Sequence, residues 1–152
     1  MKTNHYLPPM KITFTFMAML IVALAAQSQR PVASLGLEKS VTGMEYGAMA
    51  LYRTKAQWGF GGFYQTEFPK KSEGLKGANT FYGAVLYAPV MKSQKINFYM
   101  NIRLGVVNKT FVIITPGLET ELIFSKRVSL GLGMGFRKSY PALAARIYTR
   151  IL

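Results

Sequence analysis

From residue 96 to residue 137 the chain alternates apolar and polar side chains with a period of two, a pattern that few folds accept. Ile96, Phe98, Met100, Ile102, Leu104 and Val106 hold the even positions, with Asn97, Tyr99, Asn101, Arg103 and Gly105 between them. After a break at 108–110 the same parity resumes, with Val112, Ile114, Leu118, Leu122 and Phe124 set against Thr115, Gly117, Glu119 and Glu121. A third run sets Val128, Leu130, Leu132, Met134 and Phe136 against Ser129, Gly131, Gly133, Gly135 and Arg137. Successive side chains of a strand point to opposite faces, so each run presents one apolar face and one polar or small face. Each run is close to the roughly 9–11 residues that a tilted strand needs to cross a bilayer. Strands of that length joined by short turns are the mark of a transmembrane β-barrel.

Weaker alternation predicts further strands at 32–40, 44–54, 57–68, 80–88 and 142–152. With the central three this makes an all-β, antiparallel up-and-down barrel of eight strands. In 44–54 both parities carry apolar residues, so its inward face stays open at this level. Turns are expected at 41–43, 55–56, 89–94, 108–110, 125–126 and 138–141. The longest linker is 69–79 (PKKSEGLKGAN), whose proline, glycines and lysines break strands and favour water. With both ends on one side, the first, third, fifth and seventh linkers fall on the other. That puts the longest one outside, as outer-membrane barrels arrange their loops.

The N-terminus reads as a targeting segment. Lys11 precedes an apolar run at 12–26, and Ala26-Gln27-Ser28 offers a small-x-small cleavage pattern. The run is short against the about 20 residues of a membrane-spanning helix. Residues 1–28 are therefore expected to be a signal peptide, with Met10-Lys11 as an alternative start, and 29–152 a single barrel domain in the bacterial outer membrane.

Two distributions extend the barrel reading. The acids Glu38, Glu45, Glu67, Glu119 and Glu121 share the inward parity with Arg53, Arg103, Arg137, Arg146 and Arg150. An eight-stranded barrel is filled by side chains, and buried charges are tolerated when paired, so an interior ion-pair network is expected. The aromatics of the outward parity gather at strand ends. Tyr46, Tyr64, Tyr82 and Phe136, with Phe68, mark one rim; Tyr52, Trp58, Phe98 and Phe124 mark the other, as in the girdles at lipid–water interfaces.

The formal net charge is +13, and it falls by two if Lys2 and Lys11 leave with the signal. The excess lies between strands. Lys39, Lys70, Lys71, Lys76, Lys109 and Lys138 ring the outer mouth, where they suit lipopolysaccharide head groups. Arg30, Lys55, Lys92, Lys95, Lys126 and Arg127 line the opposite side. Because these cations sit in turns, not on a helix, no direct contact with nucleic acid is expected. The expected partners are outer-membrane lipid and lipopolysaccharide, the barrel-assembly machinery and other envelope proteins.

Catalytic material is scarce. Beyond the signal the chain has no cysteine, aspartate or histidine, which removes thiol nucleophiles, Ser-His-Asp triads and His/Cys zinc sites. The Glu119/Glu121 pair shares one face, and an ion-pair cluster with Arg103 or Arg146 is the expected explanation. Gly131–Gly135 lacks a P-loop lysine, and its glycines are expected to relieve crowding inside a narrow barrel. No catalytic residue, metal or cofactor is expected. A porin-like narrow transport barrel, and a secreted soluble β-barrel with an apolar ligand inside, stay open as alternatives.

Over the whole mature chain the sequence resembles small bacterial outer-membrane β-barrels. Gln29-Arg30 followed by Gly36-Leu37-Glu38 resembles the start of the TraO family of conjugative-transposon transfer proteins. Gln57-Trp58-Gly59-Phe60-Gly61, and Leu118-Glu119-Thr120-Glu121 with Ser125-Lys126-Arg127, are similar to further segments of that family. The resemblance implies an outer-membrane component of a DNA-transfer apparatus with no known enzyme activity. This chain departs from the family by being shorter and by lacking an insertion before the strand that holds Glu119. It also ends in Ile151-Leu152, where many outer-membrane barrels carry a lipid-facing aromatic read by the assembly machinery.

Overall fold

The computed structural model describes residues 30–41, 43–68, 79–137 and 140–151, and in it every regular element is a strand. The eight strands are β1 (Arg30–Ser40), β2 (Gly43–Arg53), β3 (Gly59–Glu67), β4 (Thr80–Lys92), β5 (Ile96–Val107), β6 (Phe111–Ile123), β7 (Val128–Arg137) and β8 (Tyr140–Arg150). Each pairs antiparallel with its sequence neighbours, and β8 returns to β1, so the sheet closes into a barrel. Closure runs from Val32 opposite Arg150 to Lys39 opposite Leu143. It pairs the last backbone edge, which would otherwise be a template for aggregation. The expected signal peptide at 1–28 and Lys70, Lys71, Lys76 and Lys138 of the expected outer ring lie outside the described residues.

Several element boundaries differ from expectation by about two residues or more; β1, for example, begins at Arg30, not at 32. The strand expected at 80–88 continues to Lys92, through a segment read as a turn because of Pro89. The register against β5 shifts between Pro89 and Met91. A bulge lets proline, which has no N–H to donate, sit in a strand. The last strand begins at Tyr140, not at 142, with Pro141 opposite Phe136. The third strand begins at Gly59, because Gln57 and Trp58 belong to a turn: Thr54 N–H donates to Trp58 O at 2.9 Å, and Gln57 has φ of 71°.

The wall sorts by parity. On β5, Asn97, Tyr99, Asn101 and Arg103 are buried, whereas Phe98, Met100, Ile102 and Leu104 are exposed. On β2, whose faces the sequence left open, Glu45, Met49, Leu51 and Arg53 turn inward and Tyr46 and Tyr52 outward. The exterior is accordingly a belt of exposed Leu, Ile, Met and aromatic side chains, including Leu35, Leu118, Met134, Leu143 and Ile147. The interior is only partly polar. Val32, Met49, Leu51, Phe63, Phe81, Val85, Tyr87, Tyr99, Val107 and Tyr148 form a buried apolar cluster inside the ring.

Two inward glycines make this filling possible. A Cβ on Gly131 would lie 2.6 Å from both Glu119 Oε1 and Tyr148 Cε2. One on Gly36 would lie 2.6 Å from Arg146 Cγ. Glycine at these positions gives the large side chains of the neighbouring strands the space they occupy.

Candidate functional site

The residues with chemistry meet inside the barrel in stacked tiers, each built on a glutamate. Next to the ends of β1 and β8 (the lower rim), Arg53 Nη1 donates to Glu121 Oε2 at 2.6 Å. Arg150 Nη2 lies 3.6 Å from Glu121 Oε1, and Ser129 Oγ donates to the same carboxylate. The Arg53 guanidinium also packs 4.9 Å from the centre of the Tyr99 ring and 5.2 Å from that of Tyr148.

In the middle tier Glu119 is the shared acceptor. Arg146 Nη1 donates to it at 2.5 Å and Tyr87 OH at 3.1 Å, and Tyr148 OH donates to its other oxygen. Above it Glu38 takes two bonds from Arg103, at 2.7 and 3.1 Å, one from Arg146 at 3.0 Å and one from Gln65 at 3.1 Å. Arg146 thus links Glu38 to Glu119 across the lumen. At the opposite (upper) rim Arg137 donates to Glu45 and lies 4.6 Å over the Phe81 ring.

All seven residues singled out for the interior network, Glu45, Arg53, Arg103, Glu119, Glu121, Arg146 and Arg150, are found in ion pairs within the ring. The partners differ in detail from those expected. Glu119 does pair with Arg146, but Arg103 pairs with Glu38, and Glu121 takes Arg53 and Arg150. Glu67, expected among the inward acids, accepts from Asn79 Nδ2 at 2.8 Å at the upper mouth. Sequence reasoning did not assign the three tyrosines Tyr87, Tyr99 and Tyr148 to the network. The parity of β4, β5 and β8 held that signal, since all three sit on the inward face.

The girdle residues Tyr46, Tyr52, Trp58, Tyr64, Tyr82, Phe98, Phe124 and Phe136 are all exposed on the outer wall or its turns. Phe111 and Tyr140 join the upper set. Tyr46 packs on Phe68 with ring centres 4.7 Å apart. Of the expected outer ring, Lys39 is exposed near the end of β1, and Lys109 sits in the β5–β6 turn with Asn108, both turn residues at positive φ (62° and 51°). Thr110 N–H closes that turn onto Val107 O at 3.0 Å. Two successive left-handed residues match the right-handed twist of a hairpin.

Chemically, the interior acids are engaged by guanidinium and hydroxyl donors, and the space around them is filled by side chains. Among the described residues no group of three or more His, Cys, Asp or Glu side chains could hold a metal ion.

No family model matches the sequence, and no curated protein matches it. Among solved structures, the chain is similar to a de novo designed transmembrane β-barrel, with a TM-score of 0.67, 12% identity and coverage of 80% of this chain and 95% of that one. A second designed barrel, TMB2.3, gives 0.56 at 15% identity, covering 83% and 98%. The Yersinia pestis outer membrane protein Ail, determined in a phospholipid bilayer nanodisc, gives 0.52 at 9% identity, covering 80% and 99%. The fold is that of a transmembrane β-barrel. At these identities the likeness concerns the fold alone. The resemblance to the TraO family rests on the quoted sequence segments.

Proposed function

We propose that this chain is a non-enzymatic barrel of the bacterial outer membrane that serves as a structural or interaction component of an envelope assembly. The observation that carries the reading is the pairing of an apolar outer wall with a lumen closed by the Glu38, Glu119 and Glu121 ion-pair tiers. A water-filled pore would require those tiers to part, and a soluble barrel holding an apolar ligand would require the apolar parity to face inward. The TraO-like segments favour a conjugative DNA-transfer apparatus as the assembly. Lys109, with Lys70, Lys71, Lys76 and Lys138, is the proposed contact for lipopolysaccharide phosphates, by charge attraction. The barrel-assembly machinery is the proposed insertion partner.

Cell fractionation with a heat-modifiability gel tests the membrane reading. A band in detergent-extracted outer membranes that shifts on boiling is expected. A soluble periplasmic or secreted protein would refute it. Planar-bilayer recording of the purified barrel should stay near background; stable open channels would favour transport instead.

A further inference from the structure

The cavities at the two mouths differ in the charges of their described lining residues. The upper mouth has a cavity of about 200 Å³ lined by residues that include Glu67, Asn79, Asn108, Arg137 and Tyr140. Its lining carries one cation and one acid: Arg137 pairs with Glu45, and Glu67 accepts from the neutral amide of Asn79. The lower mouth has a cavity of about 170 Å³ lined by Arg30, Val32, Arg53, Thr54, Lys55, Gln57 and Arg150. Four cations line it, and the acid that serves them is Glu121, shared by Arg53 and Arg150. Arg30 and Lys55 have no carboxylate partner among the described residues.

The register makes this crowding a built feature. Arg30 on β1 stands directly opposite Arg53 on β2. Arg150 on β8 stands opposite Val32, two residues along β1 on the same face. Like charges directly opposite each other in an antiparallel sheet repel at close range, and the single Glu121 carboxylate, shared by Arg53 and Arg150, leaves the cluster with an excess of positive charge that a further anion would offset. The central cation is also held in place. Arg53 is 3% exposed, tied to Glu121 on one side and packed between the Tyr99 and Tyr148 rings. The neighbouring turn is fixed by Gln57 N–H to Thr54 O at 2.9 Å and Trp58 N–H to Thr54 Oγ1 at 3.2 Å. Gln57 Oε1 accepts from Tyr99 OH at 3.3 Å, which leaves the Gln57 amide N–H groups as donors.

We propose that this lower mouth is a phosphate-binding site, in which Arg30, Arg53, Lys55 and Arg150 hold a phosphomonoester group carried by a lipid head group or a soluble phosphorylated compound. Guanidinium forks match phosphate oxygens in bidentate geometry, and lysine adds a point charge. The cavity accommodates one phosphate with a few waters, a water occupying about 30 Å³. Lys92, Lys95, Lys126 and Arg127, all exposed in or beside the lower turns, add a field that draws anions toward this end. The site follows from the mouth itself and does not depend on the envelope-assembly reading.

The test uses the full chain folded in dodecylmaltoside micelles, with Trp58 fluorescence reporting on the turn beside Gln57. Glycerol 3-phosphate and dihexanoylphosphatidic acid are titrated separately. At least one is expected to saturate the signal, and the double variant R30Q/K55Q to weaken it by at least about tenfold. Both residues are exposed, so the variant should keep its heat-modifiable folded band. K109Q, at the opposite rim, should bind like the parent chain. Saturation by glycerol 3-phosphate identifies a soluble phosphate source, and saturation by the lipid alone identifies a head group. No saturable binding of either probe, or equal binding by R30Q/K55Q, would overturn the proposal.

Discussion

Glu38→Gln removes one charge from the most heavily used acceptor in the barrel while keeping its shape. Glu38 is 1% exposed and takes bonds from Arg103, Arg146 and Gln65. Arg146 keeps Glu119 at 2.5 Å after the change, but Arg103 has no other carboxylate partner among the described residues. The variant therefore strands one buried guanidinium, and breaking a buried pair from one side costs about 3–5 kcal/mol. The Gln carbonyl still accepts a bond, which places the expected loss near the lower end, about 3 kcal/mol. Arg103→Gln alone strands the Glu38 charge less completely, because Arg146 and Gln65 still serve it. In the double variant neither charge remains, so its loss should fall short of the sum of the singles by about 1–3 kcal/mol. Equilibrium urea unfolding of the detergent-folded barrel reads these values through Trp58, the single tryptophan. A Glu38→Gln loss under about 1 kcal/mol, or strict additivity in the cycle, would show that the tiers do not act as coupled ion pairs.

Three further perturbations probe other parts of the barrel. Ile102→Arg places a charge mid-strand on the exposed outer face of β5, at an expected cost of roughly 2–4 kcal/mol and a loss of folded protein from outer membranes; normal levels there would contradict a lipid-facing wall. Tyr148→Phe deletes the hydroxyl that serves Glu119 and Tyr87, and a destabilisation of about 1–3 kcal/mol is expected in the same urea assay. Gly131→Ala puts a methyl 2.6 Å from Glu119 Oε1 and Tyr148 Cε2, so a loss of about 1–3 kcal/mol is expected, whereas a neutral melting profile would mean the lumen has slack.

Much of the strand layout was legible because alternation is a local property. On β5, β6 and β7 one parity is mostly apolar and the other mostly polar or glycine, with exceptions such as Val107 and Ile113, and the observed faces follow the majority. The signal failed where the inward face is itself apolar. Met49 and Leu51 point into the lumen beside Val32 and Phe63, so β2 shows no contrast between its parities. It also failed at Pro89, where a bulge absorbs a residue that elsewhere ends a strand. The candidate site was half legible: the inward glutamates and arginines could be listed, but the inward tyrosines looked like any other aromatics of a barrel.

The sequence by itself determined the strands, their order and, for most of them, which side chains face inward, since these depend on residues two apart. Only the tertiary structure decided which charges meet. Arg53 and Glu121 are 68 positions apart, Arg103 and Glu38 65, and Arg146 and Glu38 108. Such pairs form only once the ring has closed and its register has set the height of each strand against the next. The basic lower mouth arises in part the same way: the β1–β2 hairpin sets Arg30 opposite Arg53, and Arg150 joins them only when β8 pairs with β1.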